Sequence, residues 1–181
     1  RLSWKYSIPV MIRPVMRVCH SRQNSNIEDA PFPVHEHGFT RNPDRWAATP
    51  RHRSVLHVEL IEKLNTIARE NRPPVVKPEY PLAVIGSGYP MAILRDVQFE
   101  YNLPVDIITI DMPYPLSSEF IAEVENSYRE ILVIEETFPV IENQFVMGNK
   151  IRGKKDGTVP GNGEMTYDSI REILGRFIKT D

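Results

Sequence analysis

One cysteine, Cys19, is all the thiol chemistry that the chain possesses. A single thiol excludes an intrachain disulfide, and with it any four-cysteine zinc or iron–sulfur site built from these 181 residues. It gives no indication of an oxidising compartment, so a cytoplasmic location is expected. Long apolar runs are missing too. None approaches the ~18 to 20 residues of a membrane span, and no membrane partner is expected. There is no excess of either charge: the net charge is −2, with acids and bases mixed along the chain. Without a basic stripe to follow a phosphate backbone, nucleic acid is not an expected partner. The complete phosphate-binding signatures, G-x-G-x-x-G and the P-loop with its lysine and hydroxyl, do not occur. A starting methionine is also lacking. The chain opens Arg1-Leu2-Ser3-Trp4-Lys5-Tyr6, neither a signal peptide nor a tag, and is expected to be a piece of a longer polypeptide.

What is present is the balance of an ordinary globular protein, with 41% apolar and 25% charged residues. Ile8-Pro9-Val10-Met11-Ile12-Arg13 is a short apolar run closed by Pro14, which predicts a strand. Residues 21–50 are polar and carry Pro31, Pro33, Pro43 and Pro50, the pattern of a long connection between domains. From Arg51 the apolar positions Leu56, Leu60, Leu64 and Ile67 trace one stripe of a helix that Pro73-Pro74 stops.

Leu82-Ala83-Val84-Ile85 is a nearly continuous apolar run and suits a strand buried on both faces. Gly86-Ser87-Gly88 closes it. A helix with Ile93, Leu94, Val97 and Tyr101 inward follows, then a strand at 105–110. Ser117 is placed to cap a short helix carrying Phe120, Ile121 and Val124. Ile131-Leu132-Val133-Ile134 is a third buried-strand run. Pro139 fits the first turn of a further helix, with Ile141 and Phe145 inward and Gly148 as its stop. Five glycines and prolines make 151–164 a loop. Thr166 caps a last amphipathic helix with Ile170, Ile173, Leu174, Phe177 and Ile178 on one face. Strands alternating with helices predict an α/β fold, a three-layer sandwich with a mainly parallel sheet.

Each candidate site has a plainer reading beside it. Gly86-Ser87-Gly88 lies between strand and helix, where backbone amides can hold a phosphate; a tight turn explains the glycines as well. Glu135 and Glu136 stand where a parallel strand ends, the edge at which open α/β sheets bind ligands. Neighbours on a strand point to opposite faces, so at most one faces a cleft. The favoured reading makes one carboxylate the cap of the helix near Pro139 and lets the other pair across an interface. Arg13 and Arg17 can hold a substrate carboxylate or an interfacial one equally well. His35-Glu36-His37 and the pair His52 and His57 lack metal-site spacing, and no metal is expected. Adjacency of Cys19 and His20 says little about the geometry of a nucleophile–base dyad, so Cys19 is read as structural.

The run Ile131 to Ile134 followed by Glu135-Glu136-Thr137-Phe138-Pro139-Val140-Ile141-Glu142-Asn143-Gln144 resembles the "strand, Glu-Glu, Pro, Ile-Glu-x-Gln" segment of the alpha subunit of indolepyruvate:ferredoxin oxidoreductases, a thiamine-diphosphate-dependent family. Gly153-Lys154 through Pro160 to Gly163-Glu164-Met165-Thr166 is similar to the "G-K … P … G-E-L-T" segment that follows it there. Upstream, Pro9-Val10 with Arg13, Arg17 and His20 resembles the strand that ends the family's pyrimidine-binding domain, although Pro14-Val15-Met16 replaces a threonine-rich triplet. Arg45-Trp46 and Pro50 fit the family's linker. The resemblance implies residues 1–22 as a terminal strand and stub of a pyrimidine-binding domain, 23–50 as a linker and 51–181 as a transketolase C-terminal-like domain.

It also implies a parent enzyme that oxidatively decarboxylates aryl 2-oxoacids to acyl-coenzyme A with ferredoxin as electron acceptor. That enzyme would use thiamine diphosphate, magnesium, 4Fe-4S clusters and coenzyme A, and would pair with a second, beta subunit. No thiamine-activating glutamate and no G-D-G diphosphate motif is assignable here, so the segment is expected to be non-catalytic and inactive alone. The rival expectation is a free-standing α/β module binding a nucleotide or coenzyme A at Gly86-Ser87-Gly88.

Overall fold

Alternating side chains of β-branched and aliphatic residues build the sheet, because each strand must be apolar on both faces when helices cover both. The computed structural model describes residues 2–24, 41–74 and 77–179, and divides the chain into two compact units, Arg1–Lys63 and Leu64–Asp181.

The second unit holds four strands, β1 (Leu82–Gly86), β2 (Asp106–Thr109), β3 (Glu130–Ile134) and β4 (Ile151–Arg152), all parallel and ordered β2-β1-β3-β4. Three helices accompany them: α5 (Tyr89–Tyr101), α6 (Ser118–Ser127) and α7 (Tyr167–Lys179). Leu82, Val84, Leu132 and Ile134 point to one face, where Met91, Leu94 and Val97 of α5 and Ile170, Ile173, Leu174 and Phe177 of α7 cover them. Ala83, Ile85, Ile131 and Val133 point to the other and meet Phe120, Ile121 and Val124 of α6, with Ile141 and Phe145. The expected three-layer α/β sandwich is therefore present. Each fully buried aliphatic side chain contributes about 1.5–3 kcal/mol by leaving water, so both cores are needed to hold the sheet.

Local chemistry sets the helix ends. The Ser117 hydroxyl accepts from Phe120 N at 3.1 Å and starts α6. Thr166 and Ser169 cap α7 reciprocally, Ser169 N donating to Thr166 Oγ1 and Thr166 N to Ser169 Oγ. Asn102, left-handed at φ 47, ends α5.

Three sequence expectations need correction. No helix follows Pro139: a single 3-10 turn forms at Glu142–Gln144, and Phe145 departs into extended backbone at ψ 144. The buried side chains of Ile141 and Phe145 are as expected, but both dock on the sheet from an irregular loop. The loop 151–164 begins with β4, whose two residues pair with Ile131 and Leu132. Residues 8–13 form no strand; they pair with no other strand among the described residues and are mostly exposed. A strand's amides need a neighbouring edge, and without one the run stays solvated.

The first unit contains α1 (Leu2–Tyr6), α2 (Met16–Cys19), α3 (Pro43–Trp46) and most of α4 (Pro50–Glu70). Asn42 accepts from Arg45 N and caps α3. Arg45 forms a two-pronged ion pair with Glu59 and lies 5.3 Å from the Trp46 ring centre. The expected stripe of α4 is buried only toward its end. Leu60 is exposed whereas Ile67 is buried.

Candidate functional site

In an open parallel sheet, ligands sit outside the strands' carboxyl ends where the chain order reverses. Here the chain runs from β1 outward to β2 and returns to place β3 on the other side of β1. The candidate crevice is therefore flanked by the turn after β1 and the segment after β3, the positions of Gly86-Ser87-Gly88 and Glu135-Glu136.

The carboxylates after β3 are engaged with the chain itself. Glu135 is buried and accepts from Ile141 N at 2.9 Å and Glu142 N at 3.0 Å. Glu142 is buried as well; its carboxylate accepts from Lys154 N at 2.9 Å and Lys155 N at 3.1 Å. That carboxylate explains Gly153, since a β-carbon there would lie 2.7 Å from Glu142 Cδ. Lys154 Nζ donates to Pro160 O at 2.5 Å, and Glu136 Oε1 accepts from Met165 N at 3.3 Å. Asp156 takes the N–H groups of Gly153 and Thr158, both at 3.0 Å. Together these bonds clasp residues 153–165 to the end of β3 and deliver the chain to α7.

Burial dominates the electrostatics of the clasp. It pushes the Glu135 carboxyl above its ordinary value; the N–H groups of Glu142, Ile141 and Val140 oppose this, and the charge of Glu142 adds to it. Burial also pulls the Lys154 ammonium below its ordinary value, against the attraction of Glu135, Glu142 and Glu136. Such a closed network of satisfied groups fixes geometry. Both carboxylates of the Glu135–Glu142 pair serve here as acceptors for the chain's own N–H groups.

The glycines after β1 have structural causes of the same kind. A β-carbon on Gly86 would lie 2.2 Å from Ile134 O and 2.6 Å from Met91 Sδ, so the residue permits the approach of β1 to β3 and α5. Gly88 caps α5 at φ 71, a left-handed conformation that suits glycine.

The remaining sequence candidates lie in the first unit or outside the described residues. Arg13 and Arg17 belong to the first unit, both exposed, with Arg17 in α2. Cys19 is exposed at the end of the same helix. His52 Nδ1 meets the Thr49 hydroxyl at 2.5 Å. His35-Glu36-His37 lie outside the described residues. Among the described residues, no three His, Cys, Asp or Glu side chains gather to hold a metal ion.

Sequence reading also missed buried Glu125 and half-buried Gln144 as anchors. Glu125 accepts from Val146 N and Met147 N, both at 2.7 Å. Gln144 accepts from Leu116 N at 2.8 Å and donates to Pro113 O at 2.7 Å and Val140 O at 2.9 Å. Their partners lie up to 31 residues away, and no local pattern announces such a bond.

No protein-family model matches the chain. Indolepyruvate oxidoreductase subunit IorA of Methanothermobacter marburgensis is 27% identical over 186 residues, 96% of this chain. The subunit of the same name from Pyrococcus horikoshii is 24% identical over 193 residues, 98% of this chain. The chain spans 30% of the length of these curated relatives. Among solved structures, a 2-oxoglutarate:ferredoxin oxidoreductase from Magnetococcus marinus, with 2-oxoglutarate, coenzyme A and succinyl-CoA bound, matches 72% of this chain and 24% of its own. Its TM-score is 0.53 and its identity 14%, a likeness of fold. Over nearly its whole length, the chain resembles a segment of the IorA subunit of indolepyruvate oxidoreductases.

Proposed function

We propose that this chain is a non-catalytic structural domain of an indolepyruvate-type 2-oxoacid:ferredoxin oxidoreductase. The similarity to IorA subunits across 96–98% of the chain carries this reading. Residues 51–181 serve as the transketolase C-terminal-like domain, 23–50 as linker and 1–22 as the end of a pyrimidine-binding domain. The clasp supports the structural role, because side chains at the sheet's switch point bind the chain's own backbone. The rival, a nucleotide or coenzyme A module at Gly86-Ser87-Gly88, loses its main support once Gly86 is required by strand and helix packing.

The parent enzyme, on this reading, is cytoplasmic and oxidatively decarboxylates aryl 2-oxoacids, passing the acyl group to coenzyme A and electrons to ferredoxin. Its thiamine diphosphate, magnesium and 4Fe-4S clusters do not fit the residues of this segment. One cysteine cannot ligate a cluster. Among the described residues, no three His, Cys, Asp or Glu side chains gather around a common point. These groups belong with the remaining domains and the second subunit. Arg13 and Arg17 act at the boundary with those domains, on a substrate or an interfacial carboxylate.

The test is to express the gene product that carries this segment with its second subunit, reconstitute the cofactors and assay acceptor reduction with indolepyruvate, pyruvate and 2-oxoglutarate. Coenzyme A-dependent reduction fastest with the aryl substrate is expected. A loaded complex that reduces no acceptor with any 2-oxoacid overturns the reading.

A further inference from the structure

Gly161-Asn162-Gly163-Glu164 lies in the clasped segment just before α7. Asn162-Gly163 is the one asparagine–glycine step in the sequence, and every other asparagine precedes a residue with a β-carbon. The step matters chemically, because the backbone nitrogen of the following residue can attack the asparagine side-chain carbonyl and close a five-membered ring. A β-carbon on that residue crowds the attack and narrows the backbone conformations that ring closure needs.

The fold leaves this step open. Asn162 and Gly163 are both exposed. Gly163 has φ 86, and a β-carbon built on it meets no atom within 4 Å. Among the described residues, neither the Asn162 side chain nor Gly163 N makes a hydrogen bond. Asn126, by contrast, lies in α6, where backbone N–H groups are held in helical bonds. Asp156-Gly157, seven residues or fewer upstream in the same loop, could close the same ring with loss of water, but the fold restrains it. The Asp156 carboxylate accepts from Gly153 N and Thr158 N, both at 3.0 Å, and pairs with Arg152 at 3.5 Å. Gly157 N donates to Lys154 O at 3.3 Å. Both the electrophile and the nucleophile of that step are therefore engaged.

We propose that Asn162-Gly163 is a covalent modification site, at which the folded chain deamidates spontaneously through a succinimide. Gly163 N attacks Asn162 Cγ: the N–Cγ bond forms, the Cγ–Nδ2 bond breaks, ammonia leaves, and the Gly163 amide proton passes to solvent. Water then opens the ring at either carbonyl carbon. Opening at Cγ gives an aspartyl residue in the normal linkage. Opening at the main-chain carbon gives an isoaspartyl link, with one more carbon in the backbone. Both products add a negative charge beside Glu164. The altered link falls between two bonds of the clasp, Lys154 Nζ to Pro160 O and Met165 N to Glu136 Oε1, in the short span that delivers the chain to α7.

Incubation of the full chain at mildly alkaline pH tests this. Fragmentation of the tryptic peptide 156–171, which carries both steps, is expected to place a gain of about one dalton at residue 162 and an unaltered aspartyl at 156. Ion exchange of the intact chain is expected to show a matching acidic species. Gly163→Ala should slow its formation at least about ten-fold, or about 1.4 kcal/mol in the barrier. Asn162→Gln leaves the Gly163 backbone alone and would have to close a larger ring, so it should form none over the same time. Chain unfolded in guanidinium gives the rate of the unrestrained step. Conversion of Asn162 there but not in the native chain overturns the proposal. So does an acidic species that both variants still form, or isomerisation of Asp156 as fast as deamidation of Asn162.

Discussion

A methyl group added at position 153 would place its carbon 2.7 Å from the carboxyl carbon of Glu142 and within 2.9 Å of both its oxygens. Glu142 cannot retreat freely, because it is buried and holds the N–H groups of Lys154 and Lys155. Gly153→Ala is therefore expected to destabilise the second unit by about 1–3 kcal/mol, read as a lower urea midpoint at unchanged slope. Glu135 governs pH dependence at the same cluster. Burial, the largest influence, raises its folded value, so on raising the pH the unfolded chain loses this proton first. Between the ordinary carboxyl value and the raised one the folded state binds more protons, and the Glu135 contribution to stability falls as pH rises. Relative to Glu135→Gln, the wild type should lose stability across that window; parallel profiles of the two proteins would sink the assignment. Asp156 runs in the opposite sense: burial raises it, but bonds from Gly153, Thr158 and Arg152 together lower it. Its contribution is lost only as pH falls below the ordinary value, which keeps the two signals apart.

Capping and alternation decide how the elements form, and they also decide which elements could be read from the sequence. β1, β2 and β3 are short apolar runs between turns, and α5, α6 and α7 carry stripes and caps, so local residues specify them. Ser117 illustrates the point: its hydroxyl satisfies Phe120 N within one turn, and Ser117→Ala should lower thermal stability by about 1 kcal/mol. Leu132→Ala, in the centre of β3 and fully buried, should cost about 2–5 kcal/mol by urea unfolding. The helix expected after Pro139 failed for a long-range reason. Glu135 takes the Ile141 and Glu142 N–H groups, and burial of Ile141 and Phe145 on the sheet is reached without a full helical period. β4 is two residues at the start of a glycine-rich stretch, too short for any period. Residues 8–13 have a strand's composition and no strand beside them among the described residues, and composition alone cannot supply that neighbour. At the candidate site, position suggested only that one of Glu135 and Glu136 would cap a helix near Pro139; that helix does not form, and Glu135 takes the N–H groups of Ile141 and Glu142 in an irregular loop instead. The roles of Glu125, Glu142 and Gln144 were not legible, because each bonds backbone brought near only by the finished sheet.

For the whole molecule, the consequence of the proposed reading is that a segment resembling a family need not contain that family's chemistry. Diphosphate recognition needs donors or a metal converging on one anion. In the second unit the most suitable turn has Gly86 packed against Ile134 and Met91, and the adjacent acidic groups already accept backbone N–H bonds. Thiamine diphosphate with magnesium should therefore give no saturable heat when titrated into the chain. Calorimetry alone can miss a binding event whose enthalpy is near zero, so thermal unfolding is the second measurement. A ligand selective for the folded state at a hundred times its dissociation constant adds about 2.7 kcal/mol, which would raise the unfolding temperature visibly whatever the enthalpy. An unchanged transition at millimolar cofactor is expected. A cofactor-dependent rise would mean that the segment assembles a site from groups that the clasp holds elsewhere, which requires the bonds of Glu135 and Glu142 to open on binding.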